Sequence, residues 1–71
     1  MIEAKDLKGK RLDLSDFIPV KIHSHQIFII TAARRWCLQY SSEGKFTFRW
    51  NTLSWYFEKE EDAVLFALIW L

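Results

Sequence analysis

Two short segments alternate bulky and polar residues so strictly that they leave the chain little choice: Lys45-Phe-Thr-Phe-Arg-Trp50 and Leu53-Ser-Trp-Tyr-Phe-Glu58. A period of two is the mark of a half-buried β-strand. Only Asn51-Thr52 lies between them, and a two-residue turn there pairs Trp50 with Leu53, Phe48 with Trp55 and Phe46 with Phe57 on one face. The opposite face then pairs Arg49 with Ser54, Thr47 with Tyr56 and Lys45 with Glu58. Apolar meets apolar throughout and the outermost pair is oppositely charged, each cross-strand pair contributing roughly 0.2–1 kcal/mol. A slip of one residue would turn the whole aromatic set to the other face, so the register is strongly specified.

The hairpin runs into a helix. In residues 58–62, Glu-Lys-Glu-Glu-Asp, four carboxylates precede the apolar run 63–71, and negative charge in a first helical turn contributes roughly 0.3–1 kcal/mol apiece at best. Ala63, Phe66, Ala67 and Trp70 form one stripe at helical spacing, while Leu65, Leu68 and Ile69, with Leu71 nearby, form a second. A helix apolar on both sides is normally covered on both sides. Seventy-one residues leave little else to cover the second stripe except another helix.

Upstream, Val20 and Ile22 alternate with Lys21 and His23, a first strand headed by Pro19, whose missing N–H can lie outside a ladder. Ile27-Phe-Ile-Ile-Thr31 would pass for a buried strand by propensity. The wider window decides otherwise: Ile29, Ile30, Ala33, Trp36, Cys37 and Tyr40 fall on one stripe of a 3.6-residue period, which predicts a helix over about residues 25–41. Ser24 is the expected N-cap, and Gly44 is expected to end the segment with φ > 0. Residues 1–16 are polar and mixed in charge, with Lys8-Gly-Lys-Arg11 as a solvated turn and Leu12 and Leu14 alternating with Asp13 and Ser15 as an edge strand or docked arm.

These elements predict one α+β domain over residues 1–71, an arm (1–16) followed by a β-α-β-β-α core (17–71). A right-handed crossover makes strand one (20–23) and strand two (45–50) parallel. Strand three (53–58) carries the most aromatic surface and belongs in the centre. The expectation is a single-layer mixed sheet of order 1-3-2 with both helices on one face, the split β-α-β arrangement of a truncated ferredoxin-like fold. The arm around Leu12 and Leu14 is expected beside strand one.

Composition narrows the functional classes. With 51% hydrophobic residues, 17% aromatic and only two Gly and one Pro, this is a packed domain and no disordered tail. Net charge is +1, so no global field announces a nucleic acid, a membrane or an acidic partner. The single Cys37 excludes an internal disulfide framework and fits a reducing compartment. Residues 1–8 lack an apolar leader core, and the run 63–71 is far short of the ~20 residues a spanning helix needs. A soluble, cytoplasmic protein is the expectation.

The residues Tyr56-Phe57, Glu61-Asp62-Ala63, Leu65-Phe66, Leu68 and Trp70, with Trp36-Cys37 upstream, form a pattern that resembles small uncharacterised proteins of tailed phages infecting marine bacteria. Lys59 stands where such sequences usually offer a short polar cap, and Ile69 where they carry a basic residue. The resemblance covers roughly the C-terminal half and implies no particular activity. For a phage-encoded protein it implies action in the host cytoplasm.

No enzyme motif stands out. His23-x-His25 and Cys37 have metal-ligand chemistry but lack a fourth ligand, and Cys37 lies in the apolar stripe of its helix, so neither a metal nor a cysteine nucleophile is expected. There is no glycine-rich phosphate loop and no Ser/His/Asp order, so no cofactor is expected. What stands out is the second apolar stripe: Leu65, Leu68, Ile69 and Leu71 predict a non-enzymatic protein-binding module that docks on a host or phage protein or pairs with itself as a homodimer. The alternative is single-stranded nucleic-acid binding on the sheet face away from the helices, where Lys21, Lys45, Arg49 and Tyr56 are expected together. That face is similar to the open sheet of RNA-recognition domains, but it offers Tyr56 alone for base stacking.

Overall fold

The computed structural model describes residues 1–23 and 26–71. The elements are β1 (Ile2–Glu3), β2 (Ile18–Lys21), α1 (Ile27–Gln39), β3 (Lys45–Arg49), β4 (Ser54–Phe57) and α2 (Glu60–Trp70). They form a small α+β fold with a mixed four-stranded sheet of order β1-β3-β4-β2.

The hairpin has the register its alternation dictates: Phe46 opposite Phe57, Thr47 opposite Tyr56, Phe48 opposite Trp55 and Arg49 opposite Ser54. Its turn is wider than expected. Trp50 and Leu53 do not pair; Trp50 is 60% exposed, and Leu53 takes a left-handed backbone at φ 52°. The two-residue turns that suit a hairpin call for φ > 0 at the first or both central positions, conditions that favour Asn-Gly or Gly-X. The β-branched Thr52 fits them poorly, so the loop spreads over residues 50–53 and the unusual backbone falls on Leu53.

The sheet corrects the three-stranded 1-3-2 ferredoxin-like expectation. β2, β4 and β3 do lie side by side in that order, but a fourth strand joins beyond them, and it is not the segment around Leu12 and Leu14. Ile2–Glu3 pairs parallel with β3, with Ile2 N–H donating to Gly44 O (3.1 Å) and Ala4 N–H to Phe46 O (2.8 Å). The added strand is therefore at the β3 edge, opposite the edge predicted for it. The reason lies in the far edge strand, β2, where Pro19 cannot donate to a neighbour, whereas β3 offers a full set of backbone groups.

Because β1 and β2 lie at opposite edges, residues 4–17 must cross the sheet. The helices occupy one face. The chain crosses the other, where Asp6 takes two hydrogen bonds from the Arg49 guanidinium (2.8 and 3.1 Å) and one from the Leu12 N–H (2.7 Å).

The core lies between sheet and helices. Trp55, Phe46, Phe57, Phe66 and Cys37 are its largest fully buried side chains. Phe66 reaches down from α2 onto two rings of β4 and one of α1, with centroids 5.0 Å from Trp55, 4.8 Å from Phe57 and 6.0 Å from Trp36. From α1 the expected stripe supplies Ile30, Ala33 and Cys37 as buried residues, with Ile29 and Trp36 packed against them. Tyr40, the last residue of that stripe, is partly exposed and stacks on Trp36 at 5.1 Å.

The helix ends differ from expectation. α1 spans residues 27–39, not 25–41, with Gln26 at the cap position; the expected N-cap, Ser24, lies outside the described residues. It has no basic side chain in its last turn, and the Met1 ammonium takes that place, donating to Cys37 O (2.9 Å) and Tyr40 O. Gly44 does not have a positive φ. Its requirement is space, since a Cβ there would sit 2.5 Å from Asp62 Oδ2. Asp62 is buried at the start of α2 and accepts from Ser42 Oγ (2.7 Å), which in turn accepts from Gly44 N–H (3.1 Å). Glu60, Glu61 and Asp62 form the acidic first turn, and Glu58 remains outside the helix, its N–H donating to Lys45 O (2.9 Å).

Candidate interaction surface

The two stripes of α2 part company. Ala63 and Phe66 are buried, Trp70 packs against the core, and this side seals the sheet. On the other side Leu68 is 77% exposed and Leu71 65%, with Val64 and Ile69 about half exposed. Isolated exposed leucines are ordinary; several on one helix face form a patch. Glu60, Glu61, Val64, Leu65 and Leu68 line an open groove of about 440 Å³, so the apolar wall carries two carboxylates at its N-terminal end. Of the residues expected from the sequence, Leu65 and Leu68 share this groove, whereas Ile69 and Leu71 are exposed outside its lining. Val64 belongs to the surface as well, and its i, i+4 spacing to Leu68 is the signal that places it there.

α1 adds a second exposed set that its inner stripe conceals. Ile27 (70% exposed) and Phe28 (65%) begin the helix, and Leu38 lies near its end. Half a turn away from Ala33 and Cys37, positions 28, 31, 35 and 38 face outward on the same layer as the free side of α2. The signal was available in the sequence: a β-branched run longer than one stripe must leave part of itself outside.

On the opposite sheet face the four residues named for nucleic acid are not a continuous open surface. Lys21 and Lys45 are exposed, but Tyr56 is half-buried and Arg49 is engaged by Asp6. The Arg49 guanidinium and the Leu12 N–H hold the Asp6 carboxyl at about 2, well below its ordinary value, and Asp6 in turn raises Arg49. Thr47 and Ser54 between them are buried. Of the basic side chains of this face, Arg49 is the one that the arm engages, through Asp6.

Cys37 is fully buried, and burial pushes its thiol up to about 12, so it is no nucleophile at neutral pH. His23 is exposed, and His25 lies outside the described residues. Among the described residues no group of three His, Cys, Asp or Glu side chains could hold a metal ion, and no helix is long and apolar enough to cross a membrane. A second, smaller hollow of about 210 Å³ lies between Glu3 and Arg34, an exposed ion pair at 2.6 Å, and the rings of Phe48, Trp50 and Trp55.

Comparison of the chain with protein-family models, with curated proteins and with solved structures finds no match.

Proposed function

We propose that the chain is a small non-enzymatic binding module whose working surface is the exposed aliphatic side of α2, and that it self-associates through that surface. The observation that carries this reading is Leu68: a leucine more than three-quarters exposed, in an apolar wall on a rigid helix, within a domain that is otherwise densely packed. Scaled by their exposure, Val64, Leu68 and Leu71 contribute roughly 1–2 kcal/mol each when covered, doubled in a two-fold pair. Against the lower end of the roughly 4–15 kcal/mol lost on association, that total leaves up to about 8 kcal/mol, and the proposal is of self-association in the micromolar range. Such affinity suits an accessory protein of the kind its C-terminal half resembles, present at high local concentration in a host cytoplasm and able to exchange its own copy for another protein with a matching apolar face.

Leu68→Glu is the test. Because the side chain is largely solvent-exposed, the variant is expected to remain folded, and sedimentation across the micromolar range should show a monomer where the parent shows a concentration-dependent mass. A parent that stays monomeric throughout that range overturns the proposal. Unfolding of the variant would show instead that Leu68 is part of the core.

A further inference from the structure

We infer that α2 docks on α1 of a second copy, giving a two-fold dimer in which each α1 lies antiparallel on the partner's α2, with Phe28 against Leu68 and Arg35 against Glu61. This rests on the self-association proposed above and names the surface that answers it. The outward side of α1 reads Phe28, then Arg35, then Leu38; that of α2 reads Glu61, then Val64 and Leu68, then Leu71. One helix is apolar first and basic seven residues later. The other is acidic first and apolar seven residues later. At 1.5 Å per residue both offsets are about 10.5 Å, so an antiparallel pair sets ring on leucine and guanidinium on carboxylate at once.

The alternatives that use α2 fail on charge. A parallel α1–α2 pair sets Phe28 against Glu61 and Arg35 against Leu68. Two α2 helices side by side set Glu60 and Glu61 against their own images if parallel, and against aliphatic side chains if antiparallel. Topology favours the first arrangement as well. β2 and β3 run the same way and β4 runs against them, so α1, returning from β2 to β3, and α2, returning from β4, run in opposite directions. A two-fold axis parallel to the helices, in the plane of contact, therefore lays each α1 antiparallel on the partner's α2 and repeats the contact twice. The charges are uncommitted: Arg34 is bound to Glu3, while neither Arg35 nor Glu61 joins an ion pair among the described residues.

Charge reversal with mixing tests the pairing. Arg35→Glu and Glu61→Lys, each exposed and each checked for native helix content by circular dichroism, should separately weaken the dimer by about tenfold or more at low salt, because like charges then meet at both contacts. An equimolar mixture of the two variants should recover a dimer containing one of each, since in that pair both contacts again join opposite charges, and added salt should weaken the recovery. If mixing recovers nothing, or if neither reversal weakens a dimer that Leu68→Glu abolishes, α2 docks on something other than α1 and this pairing is overturned while self-association stands. If the parent itself is monomeric, both readings fall.

Discussion

Replacing Trp55 separates two physical effects that usually travel together, the size of a core side chain and the fate of its polar atom. Trp55 is fully buried at the centre of β4, with ring centroids 4.8 Å from Phe48, 5.0 Å from Phe66 and 6.4 Å from Phe46. Its indole Nε1 has no acceptor among the described residues. Trp55→Ala removes the ring and leaves a cavity between sheet and helices, which costs about 3–5 kcal/mol. At roughly 0.05–0.15 kcal/mol per residue, 71 residues supply about 4–11 kcal/mol in all, so this variant loses a large part of its stability, and all of it where the parent lies at the low end of that range. Trp55→Phe behaves differently. Smaller volume and lost contact remove about 1–2 kcal/mol, while the buried N–H left without a partner, a penalty of about 1–3 kcal/mol, disappears. The net change should lie between about 1 kcal/mol of loss and about 2 kcal/mol of gain. Urea denaturation followed by far-ultraviolet circular dichroism measures both variants without relying on the fluorophore being altered. A Phe variant as damaged as the Ala variant would refute the unpaired-donor reasoning, and an Ala variant of unchanged stability would refute the placement of Trp55 in the core.

Leu53 holds a left-handed backbone that disfavours any Cβ by roughly 1–2 kcal/mol, so Leu53→Gly should leave stability unchanged or raise it by up to about 1 kcal/mol in thermal melts, and a clear loss would show that its half-buried side chain outweighs the strain. Gly44→Ala should destabilise by about 1–3 kcal/mol in urea titration, since the new methyl group meets Asp62 Oδ2 at 2.5 Å and must displace a carboxylate fixed by Ser42; an unaltered midpoint would mean that this contact yields freely. The Asp6 carboxyl is held down to about 2 from an ordinary 3.8, so its stabilising effect on the arm should be complete above about pH 4 and disappear as pH falls through about 2. A carboxyl titration followed by NMR that places Asp6 near 4 would show that the Arg49 contact does not form in solution.

What was legible in the sequence and what was not divides along the range of the interactions. The register of β3 and β4 follows from residues less than fifteen positions apart, each apolar residue naming its partner by alternation alone. The two stripes of α2 were legible for the same reason, and chain length alone argued that one of them would be left over. β1 was not, because a two-residue strand has no period to read; it is held by hydrogen bonds to residues 44 and 46, each 42 positions further along the chain. Nor could the arm's path be read, since it depends on Asp6 finding Arg49 43 positions away. A glycine after a helix commonly serves a positive φ, whereas the reason for Gly44, a carboxylate 18 positions later, is invisible to any local pattern.

These long-range contacts bear on the two functional readings more than the local ones do. A sheet with one bare face would offer Lys21, Lys45 and Arg49 to a phosphate backbone, and net charge alone would not forbid it. Crossing that face, the arm places a carboxylate on Arg49, while Thr47 and Ser54 have little exposure. Apart from Ile2, Leu7 and Trp50, the large apolar side chains that this 51% hydrophobic chain leaves exposed lie on or beside the outside of the helix layer. There the exposed apolar side chains do not lie at random. They alternate with charges, acidic at the start of α2 and basic in the second half of α1, and the pairing proposed above rests on that order. An apolar patch without that charge order would favour indiscriminate aggregation; in the two-fold pair proposed above both helices of each protomer are covered and no third site is left.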